Sequence, residues 1–100
     1  MAQKAQVKER FDLLFAEWER DTALLSNYSA MMTHPAYQGI LGLGLPAVPH
    51  ILRKLSGGGG PLIVALEAIT GENPIPPEHE FKEKLMIADW LNWGRKRGVI

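Results

Sequence analysis

The chain contains no cysteine. That absence removes a disulfide framework, thiolate metal sites and thiol nucleophiles together, and it leaves no mark of an oxidising compartment. A surplus of either charge is also missing, since eleven Lys and Arg stand against eleven Asp and Glu and the pI is about 6.8. Binding to nucleic acid or to an anionic membrane is driven by excess Lys and Arg, so any basic site here has to be local. The opening residues, Met1 to Phe11, lack the apolar segment of a secretory signal. An uncharged stretch from Met31 to Leu52 raises the question of a membrane span, but His34, Pro35, Gly39, Gly42, Gly44, Pro46, Pro49 and His50 interrupt it. These absences predict a cytoplasmic protein with no membrane segment.

What is present is a chain of 100 residues, 46% hydrophobic and 22% charged. A chain of this length buries roughly two thirds of its surface on folding, enough for one core without a metal or disulfide. A single domain over residues 1–100 is the expectation.

The organisation reads as helical throughout. From Gln3 to about Tyr28, Val7, Phe11, Leu14, Phe15, Trp18, Thr22 and Leu25 recur at three-and-four spacing, with Lys4, Lys8, Glu9, Asp12, Glu17, Arg20 and Asp21 on the other faces. Thr33 or His34 can cap a second helix with Pro35 in its first turn, ended by Gly42 or Gly44. Pro46 opens a third, with Val48, Ile51, Leu52 and Leu55 on one stripe and Gly57 as its stop. The glycine run Gly57 to Gly60 reads as a flexible turn, and Pro61 starts a fourth helix, Leu62 to Thr70, closed by Gly71. That helix is apolar nearly all round, which predicts central burial or cover by a partner. Glu72 to Pro77 reads as a stiff surface connector. A last helix follows, with Glu78 and Glu80 near its start, Phe81, Leu85, Met86, Trp90 and Trp93 facing inward, and Arg95, Lys96 and Arg97 near its end, where Gly94 and Gly98 offer caps. No window alternates as a half-buried strand does, so the fold class is all-α: a compact bundle of about five helices. Thr33 to Gly71 carries only Arg53, Lys54 and Glu67 as charges, which predicts that the long N- and C-terminal helices enclose the apolar hairpin.

GLPAVPHILRKL, a glycine turn and PLIVALEAITG, from Gly44 to Gly71, resemble one helical hairpin of a HEAT-type repeat. The segments HPAYQGILGLG at His34 to Gly44, AVPHIL at Ala47 to Leu52, ALEAITGENPIP at Ala65 to Pro76 and WLNWG at Trp90 to Gly94 resemble a family of small uncharacterised bacterial proteins. The resemblance spans about three quarters of the chain. It implies a bacterial origin and brings no activity, ligand or fold with it, and it implies an aromatic-containing segment where this chain has Ser56 to Pro61.

Motifs for chemistry are missing. His34, His50 and His79 form no pair at i, i+4 and no HExxH, so no metal site is expected, and His34 before Pro35 reads as a helix-starting residue rather than a catalytic base. The glycine run lacks the Lys-Ser/Thr of a phosphate loop, and Ser26, Ser29 and Ser56 lie in no nucleophile motif. No enzyme activity and no cofactor are expected. Acids on the first helix alternate with bases as on a solvated face. Trp90, Trp93, Arg95, Lys96 and Arg97 could stack on bases and neutralise phosphates, although core tryptophans and a helix-end charge cluster explain them more simply. Ile69 to Pro77 reads first as a cap and turn, and second as a docking edge.

The sequence therefore points to a module of a bacterial cytoplasmic complex that binds a protein, either a different chain or a second copy. The alternative is a nucleic-acid-associated regulator or antitoxin-like protein using the C-terminal basic cluster. The candidate contact residues are His34, Tyr37, Ile63, Val64, Glu72, Asn73, Pro74, Trp93, Arg95, Lys96 and Arg97.

Overall fold

The computed structural model describes residues 2–100, and the burial of all of these except residues 2–5, 57 and 58. Lys4, expected on a solvated face, lies outside the residues whose surroundings are described. The described residues are helical and contain no strand, in the order α1 (Ala2–Thr22), α2 (Tyr28–Met32), α3 (Pro35–Leu43), α4 (Val48–Gly58), α5 (Gly60–Thr70) and α6 (Glu83–Lys96), with short 3₁₀ turns at Leu45–Ala47 and Pro77–His79. The all-α class read from the periodicity is the class observed. The chain divides into two units, Met1–Ala47 and Val48–Ile100.

In the first unit α1 packs against α3 and the 3₁₀ turn at Leu45–Ala47. Phe11, Phe15, Trp18 and Thr22 are its buried stripe. Aromatic rings follow one another along it, Phe11 to Phe15 at 5.7 Å, Phe15 to Trp18 at 5.8 Å and Trp18 to Tyr37 of α3 at 5.9 Å between centroids. Gly39 lets α3 approach, since a Cβ there would stand 3.1 Å from a methyl of Leu14. The expected run of α1 to Tyr28 is corrected: the helix stops at Thr22, and Leu25 is 41% exposed. The cause is local competition, because the Asn27 side chain accepts hydrogen bonds from the Ser29 and Ala30 amides and starts the short α2.

In the second unit α4 and α5 form a hairpin, and α6 packs on both. The expected stop at Gly57 is also corrected, because α4 runs through Gly58 and the turn is the single residue Gly59, at φ 57 and ψ −136. Burial of Ile51, Leu52, Leu55, Leu62 and Leu66 outweighs the poor helix propensity of glycine here. Pro46 sits in the preceding 3₁₀ turn rather than at the helix start. Pro61, Leu62, Ile63, Ala65 and Leu66 of α5 are buried, Val64 and Ala68 are exposed, and Gly71 closes the helix in the left-handed conformation, φ 71, as read from the sequence.

The last helix differs most from expectation. Phe81 takes φ 66 and breaks the chain between the 3₁₀ turn and α6, so Glu78 and Glu80 precede the helix instead of lying in its first turn. Phe81 is 94% exposed and Leu85 41% exposed, so neither belongs to the inward stripe, which is carried by Trp90 and Gly94. Gly94 is a close approach rather than a cap, because a Cβ there would lie 2.8 Å from a methyl of Leu52. Gly98, at φ 69, ends the turn after the helix.

Candidate functional site

Three arrangements of side chains stand out, one in the first unit and two in the second. In the first unit His34 caps α3, its Nδ1 accepting from the Ala36 amide at 3.0 Å, while Nε2 lies 3.0 Å from Oδ2 of Asp21 on α1. Glu17, one turn before Asp21, joins them, and one ligand atom from each of the three lies within 4.8 Å of the others. Hydrogen bonds from Arg20 and His34 hold the Asp21 carboxyl below the usual carboxylate range.

Carboxylates and an imidazole at this spacing raise the question of a cation, and the tautomer answers it. A metal-bound neutral histidine donates from its second ring nitrogen, usually to a carboxylate or carbonyl. Here that nitrogen accepts from Ala36, which leaves the ring proton on Nε2, directed at Asp21. A cation at Nε2 would displace that proton and break the cap. The cluster is built as a helix cap anchored by a hydrogen bond to Asp21, the local hydrogen-bonding role expected of His34.

In the second unit Glu72 ties the proline-rich connector to α6. Its Oε1 accepts from Trp93 Nε1 at 3.2 Å and from Arg97 at 2.5 Å, and the Arg97 guanidinium lies 5.1 Å from the Trp93 ring centroid. Trp93 and Arg97 together hold the Glu72 carboxyl below its ordinary range. Within the connector, Asn73 Oδ1 accepts from the Ile75 amide and Ile75 is buried. Glu72, Asn73, Trp93 and Arg97, expected as contact residues, therefore have structural work in the unit itself.

The other candidates divide by exposure. Tyr37 and Ile63 are corrected: they are 2% and 4% exposed, packed in the cores of their units, and offer a partner no surface. Burial pushes the Tyr37 phenol up to about 12. Pro74 is half-buried, and Val64, Arg95 and Lys96 are exposed. Of the basic cluster, Arg97 is engaged with Glu72, while earlier in the chain Arg53 stands 3.5 Å from His50.

The residue that sequence reasoning misplaced is the one that dominates the surface of the second unit. Phe81 combines a left-handed backbone with an almost fully exposed ring. Its neighbours settle its position: His79 in the 3₁₀ turn pairs with Asp89 of α6 at 2.7 Å, and the carboxylate of Glu83 fills the space a side chain at Gly59 would need. Glu83 against Gly59 and Glu72 against Arg97 set α5 and α6 parallel, and Val64 on α5, Leu85 on α6 and Phe81 before α6 are all exposed. The signal available beforehand was the aromatic flanked by charges in EHEFKEK, which helical periodicity had absorbed into an inward stripe. No helix of the described residues is long and apolar enough to cross a membrane. No protein-family model, no curated protein and no solved structure matches the chain.

Proposed function

We propose that the chain acts by binding another protein and performs no chemistry of its own, the contact being made through Phe81 of the second unit. The observation that carries this reading is Phe81. A non-glycine residue at φ 66 is strained by roughly 1–2 kcal/mol, and a phenyl ring left in water forgoes about 1.5–3 kcal/mol of burial. Strain of that kind persists where it serves a contact. Leu85 and Val64, each 41% exposed, are further apolar side chains on the surface of the same unit.

The experiment is affinity capture of the tagged protein from host lysate, with and without nuclease, compared with Phe81→Asn. Asparagine tolerates the left-handed conformation, so this variant removes the ring without adding strain. The expected result is a retained protein that survives nuclease and disappears with Phe81→Asn. Identical retention by both forms overturns the reading. Partners that vanish with nuclease move the contact to Arg95 and Lys96 and to the nucleic-acid alternative.

A further inference from the structure

We propose that the second unit also carries a surface for the phosphate backbone of duplex nucleic acid, on the outer side of the α4–α6 pair and independent of the contact at Phe81. The two helices run antiparallel, because Leu52 meets Gly94 at one level while Gly59, just past α4, meets Glu83 at the other. A Cβ at Gly94 would stand 2.8 Å from a methyl of Leu52, so these two positions point at each other. Successive residues of an α-helix are about 100° apart, and in an antiparallel pair the residue after each contact position turns to the same side. That places Arg53 beside Arg95, both exposed. The residues before the contact positions fix which side this is, since Ile51 is buried and Trp93 Nε1 donates to Glu72 on the opposite flank. Lys54 and Lys96, one step further round, are exposed as well, so Lys54, Arg53, Arg95 and Lys96 form a band across the pair.

No acid interrupts the band. Residues 48–58 contain none, and the two acids of α6 lie elsewhere, Glu83 at the Gly59 end of the pair and Asp89 against His79. Arg97 is the base of the C-terminal run that stays outside the band, held by Glu72 on the other flank. Arg95 and Lys96 form no ion pair among the described residues, and Arg53 approaches the His50 ring rather than an acid. A chain of zero net charge attracts a polyanion only where its bases are segregated from its acids, and this face segregates them. Guanidinium groups also match phosphate in geometry. The occupant is a duplex rather than a single strand, because single strands are held by stacking bases on exposed rings. Here Trp90 is buried and Trp93 is turned to Glu72.

Fluorescence anisotropy of a short labelled DNA duplex, titrated with the whole chain at several salt concentrations, tests this. Wild type is expected to bind with a Kd of roughly 1–100 µM, and log K to fall against log salt with a slope of about −3, the counterion release of about three or four phosphate contacts. Arg53→Gln and Arg95→Gln should each weaken binding at least about threefold at low salt and lower the slope by about one. Lys82→Gln, which removes an exposed base away from the band, should change neither. Circular dichroism shows that each variant is folded. No binding at low salt, a slope near zero, or losses from Lys82→Gln equal to those from the arginines overturns the proposal. So does tighter binding of the corresponding single strand, or of anionic lipid vesicles, than of the duplex. Phe81→Asn is expected to keep the duplex, so this surface and the protein contact stand or fall separately.

Discussion

Trp18 and Trp90 are both buried, but their indole N–H groups differ. Trp18 Nε1 donates to the Met31 carbonyl at 2.8 Å, whereas Trp90 Nε1 has no hydrogen-bond partner among the described residues. An unsatisfied buried donor costs about 1–3 kcal/mol, which offsets much of the packing that Trp90 contributes. Trp90→Phe is therefore expected to destabilise by less than about 1 kcal/mol, and Trp18→Phe by about 2 kcal/mol or more, as measured by urea denaturation. Tyr37 provides a second test. Its phenol is raised to about 12 from the usual 10.0, so the unfolded chain releases this proton before the folded one does. Folding stability is fully present below the ordinary phenol range and falls as pH rises above it. Alkaline titration followed by ultraviolet difference absorbance should find this tyrosine ionising late, and Tyr37→Phe should flatten the stability loss above pH 10.

The connector between α5 and α6 and the turn between α4 and α5 are held in different ways. The connector depends on one carboxylate: Trp93 and Arg97 depress the Glu72 carboxyl, so the stabilisation is present above the ordinary glutamate range and is lost as pH falls through the lowered value. Protection of the Glu72, Asn73 and Ile75 amides against hydrogen exchange, corrected for the intrinsic pH dependence of exchange, should fall on acidification, and Glu72→Gln should show the lower protection already at neutral pH. The turn depends on backbone conformation. At φ 57 and ψ −136 Gly59 occupies a region closed to side chains, so Gly59→Ala is expected to cost about 1–3 kcal/mol in thermal unfolding. The cap at His34 and the closure at Gly71 were legible beforehand because proline and glycine restrict φ at the residue itself. The ends of α1 and α4 were not. Whether a helix continues past Thr22 or Gly57 depends on a competing asparagine cap and on the packing of the hairpin, neither of which appears in periodicity.

At the scale of the whole molecule the properties that matter are a net charge of zero and the exposed, left-handed Phe81 of the second unit. The thermal midpoint of Phe81→Asn should equal or exceed that of the wild type, because asparagine tolerates the left-handed conformation that strains phenylalanine. The amino-acid sequence by itself determined the helical class, the buried stripes of α1 and α4 and the caps at His34 and Gly71. Each of these follows from spacing along one element or from the φ restriction of one residue. Only the tertiary structure brought Asp21 to His34 and Glu72 to Trp93, left Trp90 Nε1 without a partner and turned Phe81 into solvent. Those outcomes are set by which elements pack together and in what register, and a side chain's partner on another element carries no periodic trace in the chain.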